Sequence, residues 1–261
     1  MQFSPRPSLI SLALALAVSA ASIPSQAAIT RLAAPVPAPS KHADFGATRA
    51  SRDVVMVANG IVASGDNEGA PFIILDKVQA RVFVFEPGGR LRASAPALLG
   101  MARGDDTVPG IGDKKIVDVK PEERTTPAGR FVAEFGQSSS RGEDVVWVDY
   151  DAAVSMHRVV TSNPKERRLQ RLATPTPKDN RISYGCINLP KAFYETWVGP
   201  LVAQTRTIIY VLPETRPARQ VFGFLESRRL EARAHGARPA AYTKATRAGP
   251  PEGGAMPLID Q

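Results

Sequence analysis

Cysteine occurs once in this chain of 261 residues, at position 186, and histidine three times, at positions 42, 157 and 235. A single thiol excludes an intramolecular disulfide, and one Cys with scattered His falls short of a zinc donor set. Aromatics make up only 7% of the chain, and no basic strip interleaved with aromatics marks a nucleic-acid surface. No G-x-S-x-G elbow, Walker A loop or dinucleotide fingerprint is present, so serine-elbow, P-loop and Rossmann chemistry lack their motifs. No apolar run reaches the ~20 residues of a membrane span. No internal repeat is evident. Neither a metal, a cofactor nor nucleic acid is expected as a partner.

What is present begins with an export pattern. Arg6 precedes an apolar run from Leu9 to about Val18, and small residues follow to Ser25-Gln26-Ala27. That order matches a secretory signal peptide over residues 1–27, cleaved at a small-x-small site. Residues 28–50 are Ala/Pro-rich without apolar periodicity and read as a flexible linker. From Arg216 to Gln261 the composition turns to Arg, Ala, Gly and Pro, with eight Lys and Arg against four Asp and Glu. Such a segment is expected to be a disordered basic tail. Within it, residues 220–234 could form a short basic amphipathic helix. The chain's net charge of +8 makes an acidic wall polymer or an anionic envelope surface the natural partner of an exported protein. The expected location is the periplasm or the cell wall.

Residues 51–215 carry short β-rich runs separated by Gly and Pro. Strands are expected at 53–58 (DVVMVA), 72–76, 81–86, 90–94, 114–119 (KKIVDV), 129–135, 143–150, 153–160 and 206–212. RVFVFE-PGG-RLRAS has the form of a hairpin closed by a Pro-Gly-Gly turn. One segment reads clearly as a helix, from Pro190 to about Val202, with Phe193, Trp197, Val198 and Leu201 at helical spacing. Proline suits its first turn. The expectation is one mainly β domain with one or two helices.

A free thiol in an oxidising compartment is exposed to mixed disulfides and over-oxidation. A lone exported Cys is therefore either buried and inert or kept for its chemistry. The sequence around it is SYGCINLP, residues 183–190. Gly185 permits a tight backbone and close approach of a substrate, and a helix beginning at Pro190 would favour negative charge nearby. A thiolate nucleophile needs a base. His42 lies in the linker and His235 in the tail, which leaves His157, on the strand AVSMHRVV. Alternation puts Ser155, His157 and Val159 on one strand face and Met156, Arg158 and Val160 on the other. Cys186 and His157 form a candidate catalytic pair.

These pieces resemble the L,D-transpeptidase (YkuD-like) catalytic domain over most of residues 70–213. The resemblance is carried by LDKVQARVFVFEPGGRL, an LLG just before Met101, PEERTTPAGRF at 121–131, MHRV at 156–159 and SYGCINLP. The family pattern is a strand histidine, then Ser/Thr-x-Gly-Cys with Arg or Asn following. His157, Ser183, Gly185, Cys186 and Asn188 match it position by position. The resemblance implies a β-sandwich without cofactor. Cys186 would attack a carbonyl of the cell-wall stem peptide, between a diamino acid and D-alanine, and form a thioester. His157 would be the base, oriented by a backbone carbonyl. Ser183, Tyr184, Gly185 and Asn188 would stabilise the oxyanion or position substrate.

Two departures stand out. Many relatives carry histidine where this chain has Tyr184. The stretch between His157 and Cys186 is long and basic; it reads equally as a solvated surface loop or as a lid whose Arg167, Arg168, Arg171 or Arg181 meets substrate carboxylates by forked hydrogen bonds. The pairs Asp105-Asp106 and Glu122-Glu123 are expected to be solvated. Alternatives to transpeptidation are an L,D-carboxypeptidase or amidase using water as acceptor, and a non-catalytic wall-binding module.

Overall fold

The computed structural model describes residues 42–138 and 142–227. The expected signal peptide, most of the linker and the tail beyond residue 227 lie outside them.

Strand alternation builds two layers around a shared core. Strands β1 (Phe72–Asp76), β2 (Arg81–Phe85), β3 (Leu91–Pro96), β4 (Leu99–Gly100), β5 (Gly129–Val132), β6 (Glu134–Gln137), β7 (Asp144–Asp149), β8 (Val154–Arg158), β9 (Arg181–Ser183), β10 (Ile187–Leu189) and β11 (Ile208–Val211) follow in chain order. One sheet runs β3-β2-β1-β11-β5, a second β10-β8-β7-β6, and β4 pairs β9. Ile73, Leu75, Val82, Val84, Ile209 and Val211 of the first sheet share one core with Val146, Val148, Val154, Met156, Ile187 and Leu189 of the second. The alternate residues Phe72, Ile74, Phe83, Phe85, Ile208 and Tyr210 form a second core on the outer face of the first sheet. That sheet is thus covered on both sides, and β1 is buried at all five positions. The architecture is mainly β, as expected.

Helix α1 (Arg52–Ser64) covers the outer core, where a strand was expected over 53–58. A Val-rich run favours a strand, but Val54, Val57, Ala58 and Ile61 recur at helical spacing and are the positions that face the core. Ser51 caps the start by accepting from the Val54 N–H, and Gly65, at φ 72°, ends the helix with its N–H on the Ile61 carbonyl. Both cap residues are visible in the sequence.

A second correction concerns KKIVDV. Residues Ile116–Asp118 form a 3-10 turn, with Ile116 63% and Val117 86% exposed. Among the described residues the run belongs to no sheet, and its exposed apolar side chains have no facing core to bury them. The run GRFVAEF is divided at Ala133 between β5 in the first sheet and β6 in the second. The helix after Pro190 forms as Lys191–Phe193 (α3), a π turn at Tyr194–Val198 and Gly199–Gln204 (α4), with α2 (Arg168–Ala173) preceding both in the chain. Tyr194, Val198 and Val202 pack on the inter-sheet core, with Phe193, Trp197 and Leu201 partly buried at its edge.

The ends of the described chain are packed. Asp44 bridges Arg90 beside the β2–β3 turn, and Phe222, beyond the expected tail boundary, is buried in the outer core.

Candidate active site

The second sheet brings the two expected reactive side chains together. Strands β10 and β8 run parallel, with Ile187 beside Met156 and Asn188 beside His157. One place back in that register, Cys186 meets Ser155, and their Sγ and Oγ atoms are 3.7 Å apart. Met156 and Ile187 point into the core, so alternation turns Ser155, His157, Cys186 and Asn188 to the opposite face. There all four line one cavity of about 260 Å³, together with Ser183 and Tyr184. A larger cleft of about 340 Å³ beside Asp76 and Arg81 contains neither Cys nor His, so chemistry, not size, selects the site.

His157 is 6% exposed. Its Nδ1 lies 2.7 Å from the Arg158 carbonyl oxygen. A carbonyl only accepts, so Nδ1 carries the proton and the neutral ring's lone pair is on Nε2. Arg158 is itself fixed: its guanidinium bonds Asp144 and Glu195, each at 2.9 Å, and lies over the Tyr194 ring. Burial acts to lower the Arg158 pKa, and the Glu195 and Asp144 hydrogen bonds outweigh it and raise the pKa.

The turn before Cys186 is over-determined. Ser183 Oγ donates to the Cys186 carbonyl at 2.5 Å and accepts the Gly185 N–H at 3.2 Å. Asn188 Nδ2 donates to the same carbonyl at 3.3 Å. Gly185 sits at φ 131°, where a Cβ would stand 2.9 Å from the Thr125 carbonyl oxygen, so glycine is required there. Its own carbonyl accepts from Thr126 Oγ1 at 2.7 Å, and Thr126 Oγ1 accepts the Gly100 N–H at 3.0 Å. Strand β10 separates Cys186 from the helix starting at Lys191, so the helix end is not at the thiol as the sequence suggested.

Thr126 rests on a buried ionic cluster. Lys77 Nζ donates to the Thr126 carbonyl and to Asp105 Oδ1, both at 2.9 Å, and neither charged side chain is exposed. Burial lowers the Lys77 pKa, and Asp105 opposes that shift. Burial acts to raise the Asp105 pKa, but hydrogen bonds from Lys77, Thr215 and the Glu214 and Thr215 N–H groups hold it well below the usual carboxylate range. Asp105 is therefore not the solvated carboxylate expected from sequence. Asp106 is exposed and pairs with Arg216.

Of the four arginines named in the basic stretch, Arg168 lines the cavity. Its Nη1 donates to Asn188 Oδ1 at 2.7 Å and its Nε to Glu166 at 2.5 Å. Arg171 bonds the Glu166 and Asp179 carbonyls, and Arg181 bonds Glu214 and the Lys77 carbonyl. Arg167 adopts a left-handed conformation at φ 51° before α2. Tyr184, 40% exposed, lies at the cavity rim with the Arg124 guanidinium 3.8 Å from its ring centroid. Ser155 and Thr126 were not singled out from sequence. Ser155 carried one signal, its shared strand face with His157.

No protein-family model matches the chain, and no curated protein matches it. Among solved structures it is similar to the helical cell shape determining protein Pgp2 from Campylobacter jejuni, with 13% identity and a TM-score of 0.37. That alignment covers 56% of this chain and 49% of Pgp2, so the match spans about half of that protein's length. An L,D-transpeptidase from Stackebrandtia nassauensis is 16% identical, with 65% of this chain and 70% of that chain covered at a TM-score of 0.32. One from Xylanimonas cellulosilytica is 13% identical over 54% and 60%, at a TM-score of 0.31.

Proposed function

We propose that this chain is an exported, cysteine-dependent acyltransferase acting on peptidoglycan stem peptides, in the manner of an L,D-transpeptidase. The observation that carries this reading is the meeting of Cys186 and His157 in one cavity, where β10, starting one residue after Cys186, runs parallel to the β8 strand that holds His157, although 29 positions separate the two in sequence. The imidazole tautomer is the one a base needs, with Nδ1–H on the Arg158 carbonyl.

His157 Nε2 takes the Cys186 thiol proton as the sulfur bonds to the carbonyl carbon between the diamino acid and D-alanine. The C–N bond then breaks, and the proton passes to the departing D-alanine amine. An acceptor amine attacks the thioester, gives its proton to His157, and expels the sulfur, which is reprotonated. The Gly185 N–H is committed to Ser183 Oγ, which leaves the N–H groups of Tyr184 and Cys186 as this turn's candidates for oxyanion donors, a kind of donor worth about 3 kcal/mol in comparable sites. Arg168, held at the cavity wall by Glu166 and Asn188, is the arginine placed to meet a stem-peptide carboxylate.

The test is incubation of purified muropeptides with the protein, read by mass spectrometry. Loss of terminal D-alanine with transfer to an added amine supports transpeptidation. Release of D-alanine to water alone would move the assignment to a carboxypeptidase. No change in the muropeptides would overturn it.

A further inference from the structure

We infer that Ser155 is a third catalytic residue, which donates a hydrogen bond to the Cys186 sulfur whenever that sulfur carries negative charge. The inference rests on the acyl-transfer reading above. Ser155 is 6% exposed, and its hydroxyl lies 3.7 Å from Cys186 Sγ. A buried hydroxyl without a partner is costly, and alanine would fill the same strand position without that cost.

The direction of the bond follows from the proton count. Cys186 Sγ also donates to the Ala153 carbonyl at 3.6 Å, and a thiol has one proton. With that proton on the Ala153 carbonyl, the Ser155 hydroxyl is the donor to sulfur. Ala153 holds this position from a left-handed conformation, φ 53°, which is uncommon for a residue with a Cβ. The resting thiol is thus held between one acceptor and one donor.

When His157 removes the thiol proton, the Ala153 carbonyl loses its donor and the Ser155 hydroxyl already faces the charged sulfur. A hydrogen bond to an ionised partner is stronger than one to a neutral partner, and no reorientation is needed. The hydroxyl keeps its proton throughout. It acts twice per cycle: as the thiolate forms before acylation, and as the thioester expels the sulfur.

The test measures the rate of Cys186 alkylation by iodoacetamide at one neutral pH, with kcat and KM on a stem tetrapeptide, in wild type, Ser155→Ala and Ser155→Thr. Loss of the hydroxyl is expected to slow alkylation and kcat about tenfold, leaving KM unchanged. Ser155→Thr keeps the hydroxyl and should stay within about threefold of wild type. Melting curves accompany each variant, and if Ser155→Ala melts early the folded Thr variant decides the matter. Wild-type alkylation by a folded Ser155→Ala, or an equal loss in a folded Thr variant, would overturn the role of the hydroxyl. Slowed alkylation in Ser155→Ala with no peptide turnover by wild type would remove the acyl-transfer reading and leave the contact with sulfur standing. Peptide turnover by wild type, with unchanged rates in Ser155→Ala, would remove Ser155 alone.

Discussion

The Thr126 hydroxyl joins the Gly185 carbonyl, 59 positions away, to the Gly100 N–H, 26 positions away, through one fully buried side chain. Through this link the residue before Cys186 is tied to β4 and, by the Lys77 bond to the Thr126 carbonyl, to the end of β1. The position of Cys186 is therefore set by segments that are remote from it in sequence.

Thr126→Val should leave a buried N–H and a buried carbonyl unsatisfied, at a cost of about 1–3 kcal/mol for each group. Thr126→Ser keeps the hydroxyl and should lose much less. Chemical denaturation measures the stability change. Muropeptide turnover should fall in the Val variant even at temperatures where it remains folded.

Gly185→Ala places a Cβ against the Thr125 carbonyl at φ 131°. Backbone strain of this kind costs about 1–3 kcal/mol, and relief by shifting the turn would displace Cys186. A lowered melting temperature with activity loss larger than the unfolded fraction is expected. A variant as active as wild type would mean the turn does not set the sulfur's position.

The Asp105 carboxyl predicts a sign for acid stability. Its folded pKa is depressed, so its contribution is present above the ordinary carboxylate pKa of 3.8 and is lost as pH falls from there toward the folded value. Wild type should lose stability below about pH 4. Asp105→Asn should be less stable at neutral pH and show a shallower loss over that acid range. Urea unfolding across pH checks both.

A thiolate opened to acyl transfer should also open a strained β-lactam ring, leaving a thioester on Cys186. Intact-protein mass spectrometry is expected to show one carbapenem adduct in wild type and none in Cys186→Ala. Cys186→Ala should keep its fold, because the side chain is only partly buried and is absent from both core clusters.

The strands were legible because Val, Ile and Phe alternate or run continuously where a sheet is covered on one or both faces. Helix α1 was hidden behind three valines and the signal lay in its caps, Ser51 and Gly65. Cys186 and His157 were reached by elimination, since the chain has one Cys and one His within the domain. Asp105 was misread because its partners Glu214 and Thr215 are more than 100 positions away, and neighbouring residues say nothing of them. Thr126 lies within PEERTTPAGRF, but its bond to Gly185 is a tertiary contact that no local pattern encodes. Arg168 emerged from four arginines only when α2 placed it against Asn188.

The most direct test of the central claim is intact-protein mass spectrometry of wild type quenched in acid during turnover of a stem tetrapeptide. The expected result is a mass gain equal to the tetrapeptide minus D-alanine, mapped to Cys186 and absent from Cys186→Ala, with slower accumulation in His157→Ala. No such adduct, and no release of D-alanine, from a protein whose Cys186 is still alkylated by iodoacetamide would contradict it.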